Sequence, residues 1–174
     1  MDLKETKDVL NNFAKYVIQQ SRSTLTKNKK NVSNKLYKSI DYNLDFNFDG
    51  SGFILQFFME EYGVYQDSGV SGTKKKYKTP FSYKSKGGKR GLKGMPNIGA
   101  LDRWSVRKSQ LKKKVRDSKG RFIPRKSLVF LIARKIFLRG IKPSLFFTKP
   151  FEKRFKTLPP ELIASFVNDF EKEI

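Results

Sequence analysis

The tightest constraint on this fold is a short run of strict alternation. Ile40, Tyr42, Leu44, Phe46 and Phe48 are apolar, while Asp41, Asn43, Asp45 and Asn47 between them are polar. Period two is the mark of a strand with one buried face and one wet face. Asp49-Gly50-Ser51-Gly52 reads as a turn. Phe53 to Met59 reads as a second strand, apolar on both sides, which predicts cover on both faces. Together they form a β-hairpin. A lone hairpin is barely stable in water, so other parts of the chain must cover it.

Helical patterns at both ends of the chain can supply that cover. From Asp2 to about Leu25, the residues Leu3, Leu10, Phe13, Ala14, Val17, Ile18 and Leu25 share one side of a helix. Asp2 suits the N-cap, with Glu5 completing a capping box. The polar run Lys27 to Asn31 ends it, and Asn34 to Ser39 suits one more turn. Lys126 to Arg139 is a helix stopped by Gly140. It is apolar nearly all round: Leu128, Leu131, Ile132 and Ile136 on one face, Phe130, Ala133 and Phe137 on another. Pro159 or Pro160 opens a last helix, expected to bury Leu162, Ile163, Phe166, Val167 and Phe170 and to end near Ile174. Between these two helices, 141–147 reads as a third strand or an extended segment, with Pro143 placing it at an edge. The expected fold is one α+β domain over 1–174. A small antiparallel sheet, the hairpin at about 40–59 plus the third strand, is packed by N-terminal, central and C-terminal helices.

The middle of the chain is different. Of 38 Lys and Arg, 24 lie between Val70 and Lys142, with only two of the 16 Asp and Glu. The flanks are electrically neutral and the middle carries the full net charge of +22. Residues 70–97 and 111–125 have no apolar periodicity, so both read as long basic arms, the first mobile until bound. Between them, Ile98 to Gln110 reads as a helix anchored by Ile98, Leu101, Trp104 and Val106. Glu60 to Gly69 is a short helical connection. No apolar run approaches the length of a membrane span, and the N-terminus has no signal-peptide core. The chain is expected to be made in a cytoplasm and to stay soluble.

The absence of His and Cys removes imidazole bases, thiolate ligands and disulfides. Catalysis would need carboxylates, Lys, Ser or Tyr, and Glu61, Asp67 and Lys74 are the one set that suggests a Mg²⁺ nuclease. Their spacing fits no nuclease pattern. Gly87-Gly88-Lys89-Arg90-Gly91 lacks the strand and spacing of a phosphate-binding loop. Neither metal nor cofactor is expected. The basic arms carry the better signal. Lys74, Lys75, Lys76, Lys78, Lys84, Lys86, Lys89, Arg90 and Lys93 lie among Tyr77, Phe81 and Tyr83. Lys112, Lys113, Lys114, Arg116 and Arg121 form the second group. Cations interleaved with aromatics suit sequence-independent contact with nucleic acid, and they equally suit an acidic protein surface.

From Glu61 onward the order of motifs resembles a known family. Glu61-Tyr62-Gly63-Val64-Tyr65-Gln66-Asp67-Ser68-Gly69 is similar to the tyrosine-rich segment of the neck and tail-completion proteins of tailed bacteriophages. Pro96, Ile98 and Trp104, then Leu131 to Ile136, Gly140, Pro143, Phe146 and Phe147, follow in the family's order. The resemblance implies a small α+β subunit without catalytic activity. It would sit in a twelve-fold or six-fold homo-oligomeric ring around the DNA channel of the virion neck. Its partners would be a portal or adaptor ring, tail proteins and the passing genomic DNA, with no membrane, and assembly would take place in the host cytoplasm. Tyr62, Tyr65, Trp104, Phe130 and Phe137 are the residues expected at the ring contact, with plain monomer core as the alternative for each. The two Lys-rich arms are longer and more basic than the family pattern, a departure that points to neck rings of crAss-like podoviruses. The rival reading is a monomeric, non-sequence-specific nucleic-acid-binding protein that uses the arms directly.

Overall fold

A computed structural model describes residues 3–29, 33–47, 52–86, 93–107 and 116–172 of the chain. The fold is α+β, and the chain divides into two compact units. The first comprises 1–63 and 145–174; the second is 64–144.

The first unit is built on α1 (Lys4–Lys27), α2 (Lys35–Ser39), β1 (Asp41–Phe46) and β2 (Phe53–Phe58). The strands pair antiparallel from Asp41 opposite Phe58 to Phe46 opposite Phe53, the hairpin that the alternation predicts. All seven apolar residues expected on the inner side of α1 are buried. The long apolar stripe accounts for this, because every turn of α1 adds to one seam. Phe13 of α1 meets Phe57 of β2 edge-on, with ring centroids 6.3 Å apart. Phe147 and Phe151 close the same cluster against Phe57 at 5.3 and 6.0 Å.

Phe151 belongs to α6 (Thr148–Phe155), a helix that the sequence pattern does not announce. It is followed by α7 (Leu158–Glu171). The orientation of α7 corrects the sequence reading. Leu158, Ser165 and Asp169 are its buried residues, and Leu162 is half-buried. Ile163, Phe166, Val167 and Phe170 face solvent. The reason is polar. The Asp169 carboxylate accepts from the backbone N–H groups of Glu5 and Thr6 at 2.9 and 2.8 Å, and from the Thr6 hydroxyl at 2.8 Å. These donors open α1 and have no partner within their own helix. The cap therefore comes from α7, and Leu3, with no side-chain cap bond, holds the N-cap position. Asp2 lies outside the described residues. Glu5 makes no capping box: its carboxylate receives Lys172 and Asn168.

The expected cover on both faces of β2 is also corrected. Leu55 and Phe57 point inward, but Ile54 and Phe58 are exposed on the outer side. They stand opposite Asp45 and Asp41 of β1.

The second unit contains most of α3 (Tyr62–Ser68), then β3 (Val70–Ser71), α4 (Ile98–Arg107), α5 (Arg125–Arg139) and β4 (Gly140–Ile141). The third strand expected over 141–147 is only β4. It pairs with β3 in a separate two-stranded sheet, Val70 opposite Ile141 and Ser71 opposite Gly140. Pro143 and the turn that follows end the extension, and Phe146 is buried in the core of the first unit. On α5, Val129, Ala133 and Phe137 are buried, while Phe130 and Leu131 are exposed. On α4, Ser105 is buried and Leu101 and Trp104 are half-buried, but Ile98 and Val106, expected as anchors, are exposed.

Candidate functional site: a polycationic unit

The division into units is also a division of charge. Residues 64–144 hold 24 basic and three acidic side chains, a net +21. The other unit holds 14 basic and 13 acidic side chains, a net +1.

The first basic arm is not free chain where it is described. Ser71 donates its N–H to Phe81 and accepts from the N–H of Tyr83, both at 2.8 Å, and it forms a bridge with Ser82. Its hydroxyl takes the N–H of Tyr77 at 2.9 Å and donates to the Tyr77 carbonyl. Thr73 donates to the Phe137 carbonyl, and Lys74 and Lys75 donate to that of Leu138, at 2.9–3.1 Å. The turn is thus tied at both ends to β3 and to the last turn of α5, whose carbonyls lack helical partners. Two glycines permit this approach. A side chain on Gly72 would meet the Leu138 carbonyl oxygen at 2.3 Å. Gly140 has φ +72°, and a side chain there would meet the Val70 oxygen at 2.0 Å.

The backbone anchors leave the cations outside. Lys74, Lys75, Lys76 and Lys78 are all exposed, as are Lys84, Lys86 and Lys93. Lys75 lies over the Tyr77 ring at 5.4 Å. Tyr65 is exposed and stacks edge-on against Phe81 at 4.6 Å. Tyr83 turns inward onto Phe137 at 6.2 Å, and burial raises its hydroxyl above the ordinary phenol value. The result is a held platform of ammonium groups with aromatic rings beside it.

The second arm is described only from Arg116. Its guanidinium lies 4.2 Å over the Phe122 ring, and Asp117 pairs with Arg121 at 3.0 Å. Arg125, at the head of α5, grips Asp102 of α4 with two bonds of 2.8 Å. Two of the three acidic groups in this unit are therefore already engaged by arginines. Lys89, Arg90, Lys112, Lys113 and Lys114 lie outside the described residues.

The five residues expected at a subunit contact separate clearly. Tyr62, Tyr65 and Phe130 are exposed, and Trp104 is half-buried. Phe137 is 1% exposed and packs on Tyr83, so it is core. Among the described residues, no group of three or more Asp and Glu converges to hold a metal ion. No described helix is long and apolar enough to cross a membrane. In the neutral unit, a groove of about 690 Å³ runs beside α1. Its Arg22 is committed to the carbonyls of Tyr37 and Ile40.

Comparison with protein-family models, with curated proteins and with solved structures finds no match to this chain.

Proposed function

We propose that this chain is a structural virion protein, a ring-forming subunit of the head–tail connector of a tailed bacteriophage. It joins a portal or adaptor ring to the tail around the DNA channel. It does no chemistry and needs no cofactor. The observation that carries this reading is the partition of charge between two compact units. A connector subunit needs one part that meets protein and one that tolerates or uses a polyanion alongside. The order of elements supports it too. A long helix, a hairpin, the tyrosine helix α3, a central helix ended by Gly140 and a C-terminal helix follow the order of motifs on which the resemblance rests.

Electron microscopy of virions tests the proposal. The expected result is a ring of copies at the head–tail junction. Particles that contain no copies of the chain overturn it.

The held lysine platform favours one second reading, a monomeric protein that binds nucleic acid without regard to sequence. Salt-sensitive binding of the isolated chain to arbitrary duplex DNA, with no copies in virions, decides for it.

A further inference from the structure

The lysine platform of the basic unit carries something that charge alone does not use, an open aromatic face. Tyr65 is 46% exposed and meets Phe81 edge to face at 4.6 Å. Such a contact occupies at most one face of the Tyr65 ring. Tyr77 and Phe122 differ, because each already carries a cation of its own unit, Lys75 and Arg116. The backbone under Phe81 is fixed. Its carbonyl accepts from the Ser71 N–H at 2.8 Å, and the Thr79 hydroxyl beside it donates to the Gly69 carbonyl at 3.0 Å. Lys78 and Lys84 stand exposed three residues before and after Phe81, so their Cα atoms lie within about 11 Å of its own. The three acids of this unit do not compete for these ammonium groups. Asp67 is buried, and Asp102 and Asp117 are paired with Arg125 and Arg121.

We propose that Tyr65 and the lysines around Phe81 form a site for single-stranded nucleic acid. One unstacked base lies on the open face of Tyr65, and the phosphates on either side of it meet Lys78 and Lys84. This rests on the nucleic-acid reading of the platform and names the form of strand that it takes; it does not depend on the ring. Two arguments choose the partner. A duplex stacks its bases on one another and offers a surface its phosphates and groove edges, so the Tyr65 face gains nothing from it. An acidic protein suits the lysines, but the face of an aromatic ring is the negative part of its quadrupole and repels a carboxylate. An unstacked base has a ring face of its own, whatever its identity, and a phosphate beside it for each lysine. The anchored turn also holds both groups in place before the strand arrives, which limits the ordering that binding requires.

Fluorescence anisotropy of the full chain tests the site, with labelled oligo(dT) of about 15 nucleotides and a labelled duplex of the same length. Charge alone ranks the duplex first, because its phosphates are denser and release more counterions. The opposite order is expected here, with weaker duplex binding through the lysines. Tyr65→Leu keeps apolar cover on Phe81 but removes the stacking face. It should weaken oligo(dT) binding about 5- to 100-fold and change duplex binding less than about two-fold. Tyr65→Phe should keep the preference of the wild type. Should Tyr65→Leu fail to give a native circular dichroism spectrum, Tyr65→Gln serves in its place. A wild type that prefers the duplex overturns the inference, as does a Tyr65→Leu variant that binds oligo(dT) like wild type. In both cases the nucleic-acid reading stands. Poly-glutamate that displaces labelled oligo(dT) as readily as unlabelled oligo(dT) does assigns the lysines to an acidic protein and overturns both. So does a wild type that binds neither strand at low salt. Virions without this chain remove the connector reading and leave a Tyr65-dependent preference for the single strand in support of this site.

Discussion

Replacing Asp169 with alanine tests how the two ends of the chain are joined. The carboxylate is 3% exposed and accepts three hydrogen bonds, two of them from the first turn of α1. Loss of a helix N-cap costs about 0.5–2 kcal/mol. Each buried donor left without a partner adds about 1–3 kcal/mol. The Thr6 N–H is buried, while that of Glu5 is half-buried and can recover water. The expected loss for Asp169→Ala is therefore about 3 kcal/mol. At this chain length that lowers the thermal midpoint by about 6–12 °C. Asp169→Asn keeps one oxygen acceptor and should cost about half as much, whereas Glu171→Ala, an exposed change two residues on, should stay within about 0.5 kcal/mol. Circular dichroism and hydrogen exchange of the α1 amides are suitable probes; the single tryptophan, Trp104, reports the other unit. The pH dependence has a defined sign. Burial pushes the Asp169 carboxyl up, but the amides of Thr6 and Glu5, the Thr6 hydroxyl and Lys172 outweigh it and hold the group below its ordinary value. Its stabilisation is complete above the unfolded value near 4 and disappears as pH falls through the lower folded value. The gap between wild type and Asp169→Ala should thus close in acid. A loss under about 1 kcal/mol at neutral pH, or a gap that widens in acid, refutes the reasoning.

Two substitutions examine the basic unit. Gly140→Ala places a side chain against the Val70 oxygen at a left-handed φ, so about 1–3 kcal/mol of strain adds to the clash. Hydrogen exchange should show faster exchange at Thr73, Lys74 and Lys75 and unchanged protection in α1; intact protection at these three amides counts against the anchored turn. Phe137→Ala should cost about 3–5 kcal/mol as a core cavity, whereas Phe130→Ala should cost less than about 1 kcal/mol in denaturant unfolding. Equal losses would contradict the placement of Phe137 inside and Phe130 outside.

How far the sequence reveals the fold depends on whether local pattern or distant partners decide each element. The inner side of α1 is legible because six apolar residues repeat within its 24 residues and Leu3 at the N-cap continues the stripe. The hairpin is legible because its first strand alternates without a break. The helix α7 misleads, since both of its sides keep helical spacing and the greasier one faces out. Its inward side is chosen by Asp169, whose partners lie 163 and 164 residues away. Of α6 there is no clear sign: Thr148-Lys149-Pro150-Phe151-Glu152-Lys153-Arg154-Phe155 is short, mostly polar and has a proline in its first turn. Its aromatic contacts come from the half-buried Phe151 packing on Phe13 and Phe57. The basic segment is legible as composition but not as geometry. The bonds that hold Lys74 and Lys75 are made by backbone to the end of α5, more than 60 residues on, and leave no side-chain signature. A lysine-rich stretch with no periodicity looks mobile; it is held here because Ser71, Gly72 and Gly140 let three backbone segments close on one another.

The partition of charge makes the two proposed contacts respond to salt in opposite directions. Association between copies works against repulsion of units that carry net +21 each. Raising ionic strength from about 0.1 to 1 M shortens the screening length from about 10 to 3 Å and relieves that repulsion, while apolar burial is not weakened. Self-association should therefore strengthen with salt. Contact with DNA should weaken, because each lysine–phosphate pair releases counterions and adds about 0.9 to the slope of log K against log salt. Changing Lys74, Lys75, Lys76 and Lys78 to glutamine removes up to about 3.6 from that slope. The same change reduces repulsion, so the variant should associate at lower salt than wild type. Fluorescence anisotropy with a duplex and sedimentation without one measure the two effects on the same protein. If DNA affinity and self-association fall together as salt rises, the copies are held by charge pairs rather than by apolar contact, and the division of labour between the two units is wrong.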